Sequence, residues 1–155
     1  MHDTTLLQLI EHDIAPMQEL LDLLNQESVA LHGRNMPLLE QILARKQSLI
    51  ILLEQHGQRR RQLLTGLGHS ADHAGVEAVA AKSPNGKIML ERLQMLTDLM
   101  EACQKVNVTN GKIIQVQQNA TANQIRVLMG GDAPSLYNSR GATSLLAKPR
   151  ALSQV

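Results

Sequence analysis

Residues 85–129 contain no proline, and their apolar positions recur three and four residues apart. Met89, Leu93, Leu96, Met100 and Cys103 form one seam, which continues through Asn107, Asn110, Ile114, Gln117, Thr121 and Gln124 to Leu128. A repeat near 3.5 residues belongs to a helix lying along other helices. At about 1.5 Å per residue this helix would reach roughly 65 Å, longer than a compact domain of this size needs. The seam is apolar as far as Cys103 and rich in amides and hydroxyls beyond Asn107. Its first half can anchor a bundle, while its second half is short of a mate within the chain.

The preceding sequence supplies that bundle. A first helix is predicted over 3–32, capped by Asp3, with Leu6, Ile10, Ile14, Met17, Leu24 and Leu31 on its apolar face and Gly33 as its stop. Pro16 falls inside this pattern and predicts a kink near His12 to Pro16 rather than a break, because the apolar period continues through it. The short turn at Gly33, Arg34 and Asn35 makes the second helix, 36–65, an antiparallel neighbour, with Asn35 as cap and Pro37 in its first turn. Its inner stripe of Leu39, Ile42, Leu49, Leu53 and Leu63 is interrupted by Lys46, His56 and Arg60. Residues 66–84 read as a connector, with one or two helical turns around Val76 and Val79. It is long enough to cross one end of the bundle and lay the third helix, 85–129, against both others. The expected fold is all-α: an elongated antiparallel three-helix bundle over 1–129, an αα-hairpin plus one long C-terminal helix. Residues 130–155 have too few apolar side chains to offset about 1–2 kcal/mol of backbone entropy per residue, so they read as a flexible tail.

Composition narrows the function. Phe and Trp are absent and Tyr137 is the sole aromatic residue. An aliphatic core of this kind suits packed helices and argues against an aromatic-walled ligand pocket. The formal net charge of +1 gives no global field for nucleic acid. A single cysteine, Cys103, excludes an internal disulfide, and its place on the seam suits a small buried hydrophobe. The N-terminus lacks a signal-peptide pattern and the longest apolar run, Leu49 to Leu53, is too short to span a bilayer. A cytoplasmic protein with no stable membrane insertion is expected.

Catalytic patterns are missing as well. His69 and His73 have metal-pair spacing but no evident third ligand, and the Glu-x-x-His pattern of di-iron bundles does not occur. Gly86–Lys87 and Gly111–Lys112 lack the preceding glycine and following hydroxyl of a phosphate loop. No enzyme activity and no cofactor are expected. What remains is the stretch from Asn107 to Gly111, which admits two readings. Seam asparagines can fix helix register, with Gly111 letting a neighbouring backbone approach. Alternatively the bundle opens here to receive another helix along Asn107, Asn110, Gly111, Ile113, Ile114, Val116, Ile125, Leu128 and Met129.

The hairpin residues Leu31, Gly33, Arg34, Asn35, Leu39 and Lys46, the motif Asn107-x-x-Asn110-Gly111, and Leu136, Tyr137, Asn138 and Gly141 after a Gly-rich segment together resemble the FlgN family. The chain departs from that pattern in having asparagine at 35 and 138, where aspartate is common. The resemblance implies a chaperone that binds the C-terminal segments of the hook-associated proteins FlgK and FlgL, prevents their premature assembly and delivers them to the flagellar export gate. It further implies docking on the gate protein FlhA through Tyr137, with Leu136 beside it. Such a chaperone is expected to be monomeric until cargo arrives. The alternative from a different class is a coiled-coil adaptor or self-associating scaffold in which the same strip pairs with a second copy.

Overall fold

The computed structural model describes residues 2–129 as four helices: α1 (His2–His32), α2 (Met36–Gly66), α3 (His73–Ala81) and α4 (Gly86–Leu128). No strand occurs among the described residues. The all-α class therefore stands.

α1 is the shared packing partner. Its buried positions Leu6, Ile10, Asp13, Met17, Leu20, Leu24, Glu27 and Leu31 alternate by four and three residues, a heptad stripe with acids at two of its steps. The helix runs through Pro16 without interruption. Met17, Leu20 and Leu24 beyond the proline remain buried, so packing offsets the lost amide bond, which costs about 3 kcal/mol. Asp3 lies in the first turn rather than at the cap, because helix begins at His2. Its carboxylate accepts from Ser83 Oγ at 2.5 Å and ties the start of α1 to the segment before α4.

The α1–α2 turn closes with Asn35 N donating to Ala30 O (2.9 Å) and Gly33 N to Val29 O (3.1 Å). The left-handed residue is Arg34, at φ 50°, and not Gly33. Asn35 caps α2 through its side chain, which accepts from Leu38 N at 3.2 Å. Within 66–84, Asp72 caps α3 by accepting from Gly75 N at 3.1 Å, and Val76, Val79 and Ala80 pack into the core. The corner into α4 depends on Gly86: a Cβ there would collide with the Ala80 carbonyl.

α2 runs antiparallel to α1 and α4 runs parallel to it. The α1–α4 register is read from Cys103 Sγ to Met17 O, Asn110 Nδ2 to Leu24 O and Gln117 Nε2 to Leu31 O, each pair 86 residues apart in sequence. α2 and α4 scarcely touch each other, so the third long helix leans on α1 and does not lie against both hairpin arms as expected. Its buried positions are few, Met89, Leu96, Cys103, Asn107 and Asn110 after Gly86, and it packs against α3 as well as α1.

Candidate partner-binding surface

The candidate site begins where the α4 seam turns polar. Asn110 is completely buried and its Nδ2 donates to Leu24 O at 2.9 Å and Glu27 Oε1 at 2.8 Å. Glu27 Oε2 in turn accepts from Lys46 Nζ at 3.1 Å, with both side chains almost enclosed. One residue from each long helix thus meets at a single polar node. Asn107 is buried alongside. These placements correct the expectation that Asn107 and Asn110 line a surface for a visiting helix: both lie inside, where unpaired amides would be costly.

A second buried carboxylate, Asp13, is held by His56 Nδ1 at 2.6 Å and by the Arg60 guanidinium. Burial, and then the neighbouring charge of Arg61, lowers the Arg60 pKa. Cys103 donates weakly to Met17 O at 3.7 Å, and its thiol is pushed up to about 11, chiefly by burial and then by Asp22. These groups join helices and bear no nucleophile–base geometry. Among the described residues no group of three or more His, Cys, Asp or Glu is arranged to hold a metal, and His73 Nε2 instead pairs with Glu77 at 3.1 Å within α3.

Beyond Asn110 the character changes. Gln117 Nε2 reaches Leu31 O at 2.6 Å, one of the last α1 carbonyls. By the shared offset His32, the final residue of α1, stands level with Gln118. Residues 119–128 therefore outrun α1 by about 15 Å at the usual helical rise. No residue from 111 to 129 is buried. Ile113, Ile114 and Ile125 are half-buried, whereas Val116 is 66%, Val127 78%, Leu128 85% and Met129 60% exposed. A Cβ added at Gly111 would meet nothing within 4 Å, so no neighbouring backbone of this chain requires that glycine. Leu136 and Tyr137 lie outside the described residues.

The buried acids and bases were visible in the sequence only as interruptions. Asp13 and Glu27 occupy heptad positions of α1, and Lys46, His56 and Arg60 break the α2 stripe. Opposite charge at inward positions of two antiparallel helices was the signal that could have paired them.

The chain is thus a helical bundle with polar ties in its middle and a bare, partly apolar helix end. The family model described as “FlgN protein” matches residues 1–144. A crystal structure of a proposed flagella synthesis protein FlgN from Pseudomonas aeruginosa is 38% identical, over 71% of this chain and 86% of that chain, with a TM-score of 0.68. No curated protein matches the chain. The chain belongs to the FlgN family, and its role is that of a flagellum-related chaperone. Among the described residues no helix is long and apolar enough to cross a membrane.

Proposed function

We propose that this protein is a non-enzymatic, cytoplasmic export chaperone that binds the C-terminal segments of FlgK and FlgL and delivers them to FlhA. The observation that carries this reading is the uncovered end of α4, where Val127, Leu128 and Met129 face solvent beyond the last turn of α1 and Val116 is exposed level with that turn. Ile113, Ile114 and Ile125 are half-covered and complete the strip. Gly111, open on its free side, marks where a partner backbone can come close.

A partner helix covering five or six of these side chains gains roughly 1.5–3 kcal/mol gross for each. Ordering the cargo segment takes back about 2–5 kcal/mol, and loss of translational freedom takes more. The balance falls in the micromolar to nanomolar range, suited to a cargo that must be released. Export-gate docking is assigned to Tyr137 with Leu136, apart from the cargo strip.

Calorimetry with C-terminal peptides of FlgK and FlgL tests the reading, and absence of heat with both peptides refutes it. Ile114→Asp and Leu128→Asp should weaken cargo binding and spare FlhA, and Tyr137→Ala should do the reverse. Equal loss in both assays for every variant would show that one surface serves both. The self-associating scaffold predicts instead that light scattering gives a rising mass with concentration in the absence of cargo.

A further inference from the structure

The free half of α4 has a charge pattern of its own. Between Glu101 and Asp132 the chain has no acidic residue, yet it has Lys105, Lys112 and Arg126. The first half of the same helix is mixed, with Glu91, Asp98 and Glu101 beside Lys87 and Arg92. Lys112 and Arg126 of the second half are exposed, as is Lys105 just before its start. They share one heptad register, 105, 112 and 126, with Asn119 at the intervening step. This stripe stands two residues on from the α1-contacting Cys103, Asn110 and Gln117, about 200° round the helix and so on the side turned from α1. Exposed Val108, Val116 and Val127 border it. Arg34 adds a further exposed cation at the turn beside the end of α1. Of the α1 acids level with the stripe, Glu19 is paired with Arg45 and Glu27 with Lys46, which leaves Asp22 on α1 near its start and Glu40 on α2.

We propose that the segment received by the free half of α4 is an acidic amphipathic helix of a protein partner. Its carboxylates pair with Lys112 and Arg126 while its apolar face covers the bordering valines. The inference rests on the cargo-binding reading above, shares the exposed Val116 and Val127 with its strip, and adds the partner's charge. Charge complementarity is the warrant: a cationic stripe with no interspersed acid repels a basic segment and speeds the encounter with an acidic one. Flanking charges also set partner choice in helix pairing.

The test is a titration of the full chain with the FlgK C-terminal peptide at about 50 and about 500 mM NaCl, since screening acts on exposed charges. Affinity should fall about tenfold or more at the higher salt. The double variant Lys112→Glu/Arg126→Glu should bind about tenfold or more weakly at low salt, and a peptide with its acids changed to lysine should recover binding to that variant alone. Peptide binding insensitive to both salt and charge reversal overturns this inference and leaves the cargo reading intact, whereas no binding by the unaltered chain sinks the cargo reading itself. Two other occupants are checked in parallel. Sedimentation with phosphatidylglycerol vesicles, or a low-salt dimer abolished by the double variant, would assign the stripe to lipid or to a second copy and overturn the commitment to an acidic partner.

Discussion

Changing Lys46 to Met isolates what the polar node contributes. The substitution keeps the aliphatic stem and removes the ammonium 3.1 Å from Glu27 Oε2. Glu27, only 11% exposed at its side chain, then keeps a buried negative charge with the Asn110 amide as its donor. Breaking one side of a buried pair costs about 3–5 kcal/mol, mostly from the stranded charge. For a chain of this length each kcal/mol lowers Tm by about 2–4 °C, so a fall of about 6–20 °C is expected. Replacing both partners, Glu27→Leu with Lys46→Met, removes charge and countercharge together, and Asn110 retains the Leu24 carbonyl at 2.9 Å. The double variant should therefore lie within about 1–2 kcal/mol of the unaltered protein, far above the sum of the two single losses. Urea unfolding of the four proteins gives the coupling energy directly, provided the m-values agree. Additive single losses, or a Lys46→Met loss under 1 kcal/mol, would refute the buried-pair account.

Gly111→Ala should raise the stability of the free protein by about 0.5–1 kcal/mol in the same urea assay, because the added methyl meets no neighbour and helix propensity improves; a loss would mean that the fold itself needs the glycine. Gly86→Ala should do the opposite, costing about 1–3 kcal/mol, since its Cβ enters the Ala80 carbonyl at the α3–α4 corner. Cys103, with its thiol raised to about 11 by burial and Asp22, should resist a disulfide reagent at pH 8 until urea unfolds the chain, and rapid labelling of the native protein would contradict its placement. Asp72 is held below its ordinary 3.8 first by the Ser70 hydroxyl and then by the Gly75 amide. A lowered acid stabilises above its unfolded value and loses that contribution as pH falls through its folded one, so Asp72→Asn should narrow the stability difference between pH 7 and pH 2 in thermal melts.

Helix positions and the aliphatic core were legible because period and caps are local signals. Asn35, Pro37 and the α4 seam each state their role within one or two turns of sequence. What eluded the sequence depends on distances between helices. Lys46 reads as a flaw in an apolar stripe until α1 is set antiparallel beside it and Glu27 arrives opposite. Asn107 and Asn110 carry the same amide whether they face a cargo or a neighbouring helix, and burial alone decides between the two. Gly111 is the converse case: a glycine in a seam suggests close approach, yet nothing of this chain comes near it. The broad contact of α4 with α1 and its slight one with α2 were also hidden, since an apolar seam does not announce how it is shared among neighbours.

The exposed end of α4 follows from length and register together. α4 has 43 residues and α1 has 31, so part of the longer helix must overhang somewhere. The Asp3–Ser83 hydrogen bond and the tight Gly86 corner pin the starts of both helices to one end of the bundle. The surplus is then forced to the C-terminal end. A slip of one heptad between α1 and α4 would preserve most apolar contacts, but it would set Gln117 opposite Leu24 and strand Asn110 away from Glu27. The short reach of the Asn110 Nδ2 group, which donates at 2.8 and 2.9 Å in this register, makes that slip costly. A polar node that contributes little to raw stability once both charges are counted therefore has a clear mechanical role: it determines how much of α4 stands free to meet a partner.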